Sequence, residues 1–135
     1  MVGAAQARES VTVAGRPERV AVARAFVAAV LGRQHPQGET AVLLLSELVT
    51  NSVLYSGSSL PGQTITVTVV SVGEVIRVEV TDRSGESVPT LRSSDSHTEG
   101  SRGLCLVEAL AARWGFEQDG AYTTTWFELQ LHPGR

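Results

Sequence analysis

Three short groups of residues combine types and spacings that can do chemistry, and a run of hydroxyls near the end of the chain joins them. Glu47 and Asn51 stand four apart in an otherwise strongly apolar run, so on a helix they share one face. A carboxylate there can take a proton from a hydroxyl or a water. An amide oxygen is a hard donor for a magnesium ion that keeps several waters and binds a triphosphate. A solvated stripe would show the same pair. Asp82-Arg83-Ser84-Gly85 follows a β-branched run. These are turn formers. A carboxylate at the end of a buried strand must nevertheless find a donor, such as an exocyclic amine, because burying it unpaired is costly. Gly85 would let the backbone approach a flat ring. Gly100-Ser101-Arg102-Gly103 precedes an apolar helical pattern. Free N–H groups and the helix dipole favour an anion such as phosphate at a helix start, and Arg102 can add a bidentate contact. A flexible approach to the helix is the plainer reading, and no Lys follows to make a P-loop. Thr123-Thr124-Thr125 then precede Trp126.

The elements that must hold these residues can be read from periodicity. Residues 9–13 alternate as a short strand, and Met1–Arg8 read as a flexible tail. Pro17 suits a first helical turn, and Val20, Ala23, Val27, Val30 and Leu31 follow at helical spacing. Gly32 to Gly38 is a turn region. A second helix runs from Glu39 to Tyr55, apolar over most of its circumference and therefore expected to be buried. After a Gly/Ser/Pro-rich loop, Thr64–Ser71 and Val75–Thr81 form an antiparallel hairpin. Asp82–Gly100 is long and polar without periodicity, and loops of that length inside compact domains are functional or disordered. Leu104–Ala112 reads as a third helix. Trp114–Gln118 and Thr123–Leu131 read as two strands joined around Asp119-Gly120. The order β-α-α-β-β-loop-α-β-β predicts an α/β two-layer sandwich, with one mixed, largely antiparallel sheet and about three helices on one face.

Composition narrows the function classes. The 135 residues fit one domain. The one cysteine, Cys105, excludes an internal disulfide and points to the cytoplasm; its helical position reads as a small core residue. The formal net charge is −3 and the chain has no Lys, which argues against a nucleic-acid footprint. No apolar run approaches the roughly 20 residues of a membrane span. His35, His97 and His132 are too scattered for a metal site and read as surface residues. Phe26, Trp114, Phe116, Trp126 and Phe127 read as core or strand-face packing.

Taken in order, a helical Glu-x-x-x-Asn, a hairpin ending in Asp-x-x-Gly, a polar loop, a Gly-rich helix start and a threonine-bearing last strand resemble the N, G1 and G2 boxes of the GHKL (Bergerat-fold, histidine kinase-like) ATPases. Gly103-Leu104-Cys105-Leu106-Val107-Glu108-Ala109-Leu110-Ala111 with Trp114-Gly115, and Thr124-Thr125-Trp126-Phe127-Glu128-Leu129, look like the anti-sigma-factor serine/threonine kinases. The resemblance covers the chain from about residue 9 and implies one ATP-binding domain over residues 9–132 with a lid at about 83–100. It implies ATP and Mg2+ as cofactors. It makes Glu47 the catalytic base and Asn51 the magnesium ligand. Asp82 would recognise the adenine amine with Gly85 beneath the ring, Gly100, Ser101, Arg102 and Gly103 would surround the phosphates, and Thr124 would lie near the nucleotide. The chain departs from the family pattern at Ser84 and Glu86, at Ser101, and at Thr123, near the place of a common Lys. These changes bear on affinity and turnover rather than on the fold.

The implied activity is phosphorylation of a Ser or Thr on an anti-sigma-factor antagonist, controlling sigma-factor availability. The alternative is a nucleotide-binding or degenerate module that sequesters an antagonist or sigma factor without catalysis. A histidine-kinase fragment does not fit, because no upstream helix carries a phosphoacceptor His. The resemblance also implies a possible homodimer formed through the sheet.

Overall fold

A computed structural model describes residues 6–55, 61–83 and 99–131. The elements are β1 (Gln6–Ala14), a 3-10 turn (Pro17–Arg19), α1 (Val20–Leu31), α2 (Gly38–Tyr55), β2 (Thr64–Val72), β3 (Val75–Arg83), α3 (Glu99–Leu110), β4 (Arg113–Asp119) and β5 (Tyr122–Gln130). The strands form one sheet in the order β1-β2-β3-β5-β4. The expected α/β sandwich is present, and all four described strand pairings are antiparallel, so the sheet lacks the parallel component of a mixed one.

Two tight hairpins set the register. Val72 pairs with Val75 and Asp119 with Tyr122, leaving two-residue loops. Gly73 (φ 59°) and Gly120 (φ 66°) take the first loop position, and no non-glycine residue has positive φ among the described residues. Positive φ at the first loop position alone is the habit of type II′ turns, whose twist matches that of the strands.

The core lies between the helices and one face of the sheet. Ala23 and Val27 of α1, Leu44, Leu45 and Val49 of α2, and Val107 of α3 are fully buried. They meet Ile65, Val67 and Val69 of β2, Val78 and Val80 of β3, and Phe127 and Leu129 of β5. The central strands β2, β3 and β5 each contribute alternate residues, the period-two signature of a half-covered sheet. The other face is polar. Thr12, Thr66, Thr81 and Thr124 align across four strands. Their hydroxyls pair, Thr12 with Thr66 at 2.9 Å and Thr81 with Thr124 at 2.8 Å. Beside them Arg77 donates to Glu79 (2.8 Å) and Glu128 (3.2 Å) and lies 4.0 Å over the Trp126 ring.

Several sequence expectations are corrected. Gln6–Arg8 belong to β1 rather than to a tail, because the strand continues its pairing along β2 to Val72. Their exposed side chains give no apolar alternation to read. Arg83 closes β3 and Glu99 opens α3, so the intervening segment is shorter at both ends than 83–100. Cys105 is exposed; Leu104 and Val107 take the core face of α3 instead. Trp126 stacks on the open face, and Phe116 is exposed. α2 is not buried all round, since Leu43 and Leu54 are exposed. His35 is half-buried and accepts a hydrogen bond from the Gln37 backbone N–H at 3.0 Å. His97 and His132 lie outside the described residues.

Candidate functional site

α2 is the element that gathers the candidate residues. Its straight-chain and leucine-rich sequence suits a helix, and the stripe Leu44, Leu45, Leu48, Val49, Ser52 and Val53 faces the sheet. Glu47 and Asn51 share the flank of that stripe one turn apart, and both are half-buried. The expected juxtaposition therefore holds along the helix, with the carboxylate and amide displayed on one side.

β3 carries Asp82 two residues beyond Val80, on the same helix-covered face as Ile76, Val78 and Val80. Its carboxylate is reached from α2, where the Ser52 hydroxyl donates to Asp82 Oδ2. Burial pushes the Asp82 carboxyl above its ordinary value of 3.8, and the Ser52 hydrogen bond opposes that rise. Directly opposite Asp82 on β5 stands Thr123. Thr123 is 1% exposed, and its Oγ1 is buried without a hydrogen-bond partner among the described residues. Such an orphan is uncommon, and each one in a folded protein calls for an explanation.

Thr124, expected near the nucleotide, lies on the opposite face of the sheet from Asp82, and its neighbour Thr123 shares the face of Asp82. Thr124 projects to the open face, where it pairs with Thr81. Alternation leaves no choice: Phe127 is buried on the helix side, so Thr125 and Thr123 share that side and Thr124 faces away. The missed signal was the parity with Phe127. Ser52 was also missed, and only its seat within the buried stripe of α2 marks it.

Gly100, Ser101, Arg102 and Gly103 lie in the first turn of α3, which begins at Glu99. The first four N–H groups of a helix lack partners within it and attract an anion. Gly85 lies outside the described residues, as do the side chains of Ser101 and Arg102.

The donor set fits a nucleotide and its ion. Asp82 and Thr123 lie side by side on one face of the sheet, and a carboxylate and a hydroxyl in a largely apolar layer suit the polar edge of a flat heterocycle. Among the described residues no three His, Cys, Asp or Glu side chains come together as a metal cage. A magnesium ion would be held by the Asn51 amide oxygen together with phosphate oxygens and water, the sparse protein donor set it accepts. No described helix is long and apolar enough to cross a membrane.

Comparison with known proteins bears on the domain as a whole. The family model of the histidine kinase-like ATPase domain matches residues 13–129. The fold resembles that of the RsbU and RsbW domains of Rv1364c from Mycobacterium tuberculosis, with TM-score 0.69 and 22% identity, covering 96% of this chain and 34% of that one. This chain thus spans about a third of that protein's chain. It also resembles the Acinetobacter baumannii histidine kinase AdeS, with TM-score 0.55 and 11% identity, over 92% of this chain and 68% of the other. A third likeness is to the histidine kinase domain of the Erythrobacter litoralis EL346 blue-light activated histidine kinase, with TM-score 0.54 and 22% identity, over 96% and 70% of the two chains. No curated protein sequence gives a significant match. At these identities the structural likenesses speak to the fold.

Proposed function

Because the chain belongs to the histidine kinase-like ATPase domain family, we propose that it binds ATP with magnesium and phosphorylates a Ser or Thr on a protein antagonist, so controlling the availability of a sigma factor. The observation that carries the nucleotide reading is the Asp82–Thr123 pair. It is a polar notch in a largely apolar layer, with a hydroxyl that has no partner among the described residues and a carboxylate that takes the Ser52 hydroxyl as a donor. An adenine ring supplies what the notch lacks: an exocyclic amine to donate to Asp82 and ring nitrogens within reach of a hydroxyl.

The chemistry follows from the remaining residues. The first turn of α3 receives the phosphates on its free N–H groups. Asn51 would hold a magnesium ion, which would offset the negative charge of the phosphates. Glu47 takes the proton from the acceptor hydroxyl. The hydroxyl oxygen then bonds to the γ-phosphorus while the bond from that phosphorus to the β–γ bridging oxygen breaks, and ADP leaves with that oxygen. Such transfers depend chiefly on positioning and electrostatics. The added phosphate would alter the antagonist's binding through its charge. The resemblance of α3 and β5 to anti-sigma-factor kinases supports a protein hydroxyl as acceptor.

Ser101, standing where the family carries a glycine, favours a second reading in which nucleotide is a structural ligand and the domain acts by sequestration. Calorimetry with ATP and magnesium tests the common ground. Wild-type binding in the micromolar range, weakened about tenfold or more (about 1.4 kcal/mol) in Asp82→Asn, is the expected result. Absence of binding at millimolar ATP would overturn the kinase reading and leave the sequestration module.

A further inference from the structure

We infer that Ser52 is a positioning residue of the purine pocket: its hydroxyl engages Oδ2 of Asp82 and leaves Oδ1 to accept from a 6-amino purine, so that Ser52 sets the preference for adenine over a 6-oxo purine. The inference rests on the adenine-nucleotide reading above.

Ser52 occupies an unusual seat. It is 6% exposed, within the α2 stripe that otherwise sends Leu48, Val49 and Val53 to the core. Its hydroxyl reaches to another element and donates to Asp82 Oδ2. A carboxylate whose one oxygen is engaged has a fixed rotamer and a defined free edge.

The surroundings make that bond consequential. β5 sends Thr123 and Thr125 into this layer, and α3 sends Leu104 and Val107, none of them charged. Arg83, next along β3, belongs to the other face by alternation. Of the titratable groups of α2, Glu39 is exposed in its first turn, Tyr55 is its last residue, and Glu47 lies on the flank of the helix rather than in the stripe. Burial favours the neutral acid at Asp82, and the Ser52 hydroxyl opposes it. An ionised carboxylate is acceptor-only, whereas a protonated one carries a donor. The ionised form matches a 6-amino group and repels a 6-oxo group. The protonated form accommodates the oxo group.

The test compares wild type with Ser52→Ala and with Ser52→Thr, which keeps the hydroxyl. Binding of ATP and of inosine triphosphate, both with magnesium, is measured by calorimetry at neutral pH. The carboxyl carbon of Asp82 is followed by NMR against pH without nucleotide. Wild type should prefer ATP by about tenfold or more. Ser52→Ala should narrow the preference to within about threefold and move the Asp82 titration to higher pH, and Ser52→Thr should restore both. A Ser52→Ala protein with the wild-type preference and an unmoved titration would overturn the inference. If wild type binds neither nucleotide, the adenine reading fails on its own. The carboxyl titration then separates the two failures: coincident curves in wild type and Ser52→Ala show that Ser52 does not position Asp82, and displaced curves show that it does although no purine is taken.

Discussion

Thr123 and Asp82 face each other across the β5–β3 pair, and both project to the face of the sheet covered by helices. One carries a buried hydroxyl without a described partner, and the other a carboxylate that burial makes costly to ionise. Two adjacent, incompletely served polar groups destabilise the free protein, and under the proposed function a bound nucleotide would serve them.

The two threonines should therefore separate cleanly. Thr123→Val removes the unpaired hydroxyl at nearly constant volume. It should leave the free protein as stable or more stable by about 1 kcal/mol, while weakening ATP binding severalfold. Thr124→Val breaks only the open-face bond to Thr81 and should leave binding unchanged. Paired thermal melts and calorimetry read both effects. Loss of binding in the Thr124 variant alone would return the role to that residue.

Asp82→Asn should weaken nucleotide binding yet raise the melting temperature of the free protein at pH 7. The Asp82 carboxyl titrates above 3.8 in the folded chain, so the folded state holds this proton more tightly than the unfolded one. The group favours folding most at acid pH. That contribution is lost as pH rises from 3.8 through the folded value. At neutral pH the carboxylate is a cost that the amide avoids, while Ser52 keeps an oxygen to donate to. An Asp82→Asn protein that melts below wild type at pH 7 would contradict this account.

His35 gives a pH dependence of the opposite sense. Its Nδ1 accepts the Gln37 N–H, and the Gln37 side chain donates to the Gln130 carbonyl at 2.8 Å, tying the α1–α2 turn to the end of β5. Burial holds the imidazole below its ordinary 6.5. The unfolded chain takes up the proton first, so this contribution is complete above 6.5 and is lost as pH falls toward the folded value. This contribution should lower the melting temperature between pH 7.5 and 5. His35→Asn, which keeps an acceptor without the titration, should reduce the drop.

Glu47→Ala should retain ATP binding within about threefold and lose phosphoryl transfer to the protein acceptor by a hundredfold or more, the usual order for a removed general base (about 10²–10⁴). Transfer of label from γ-labelled ATP is the readout. Undiminished transfer would exclude Glu47 as the base.

The kinds of element and their order were legible in the sequence, because helical and strand periods are local properties of the chain. The Glu47–Asn51 pair needed only the helical period, and Asp82 only its place at the end of a β-branched run. The beginning of α3 at Glu99 was hidden by Gly100 and Gly103, which weaken any local helical signal. Periodicity also states which residues of one element share a face, without stating which face another layer will cover. The packing of α2 and α3 on one side of the sheet chose Thr123 over Thr124, put Ser52 against Asp82, sent Trp126 to the open face under Arg77 and left Cys105 exposed. Those choices depend on pairing register and on contacts between residues far apart in the chain, so they were decided only when the layers came together.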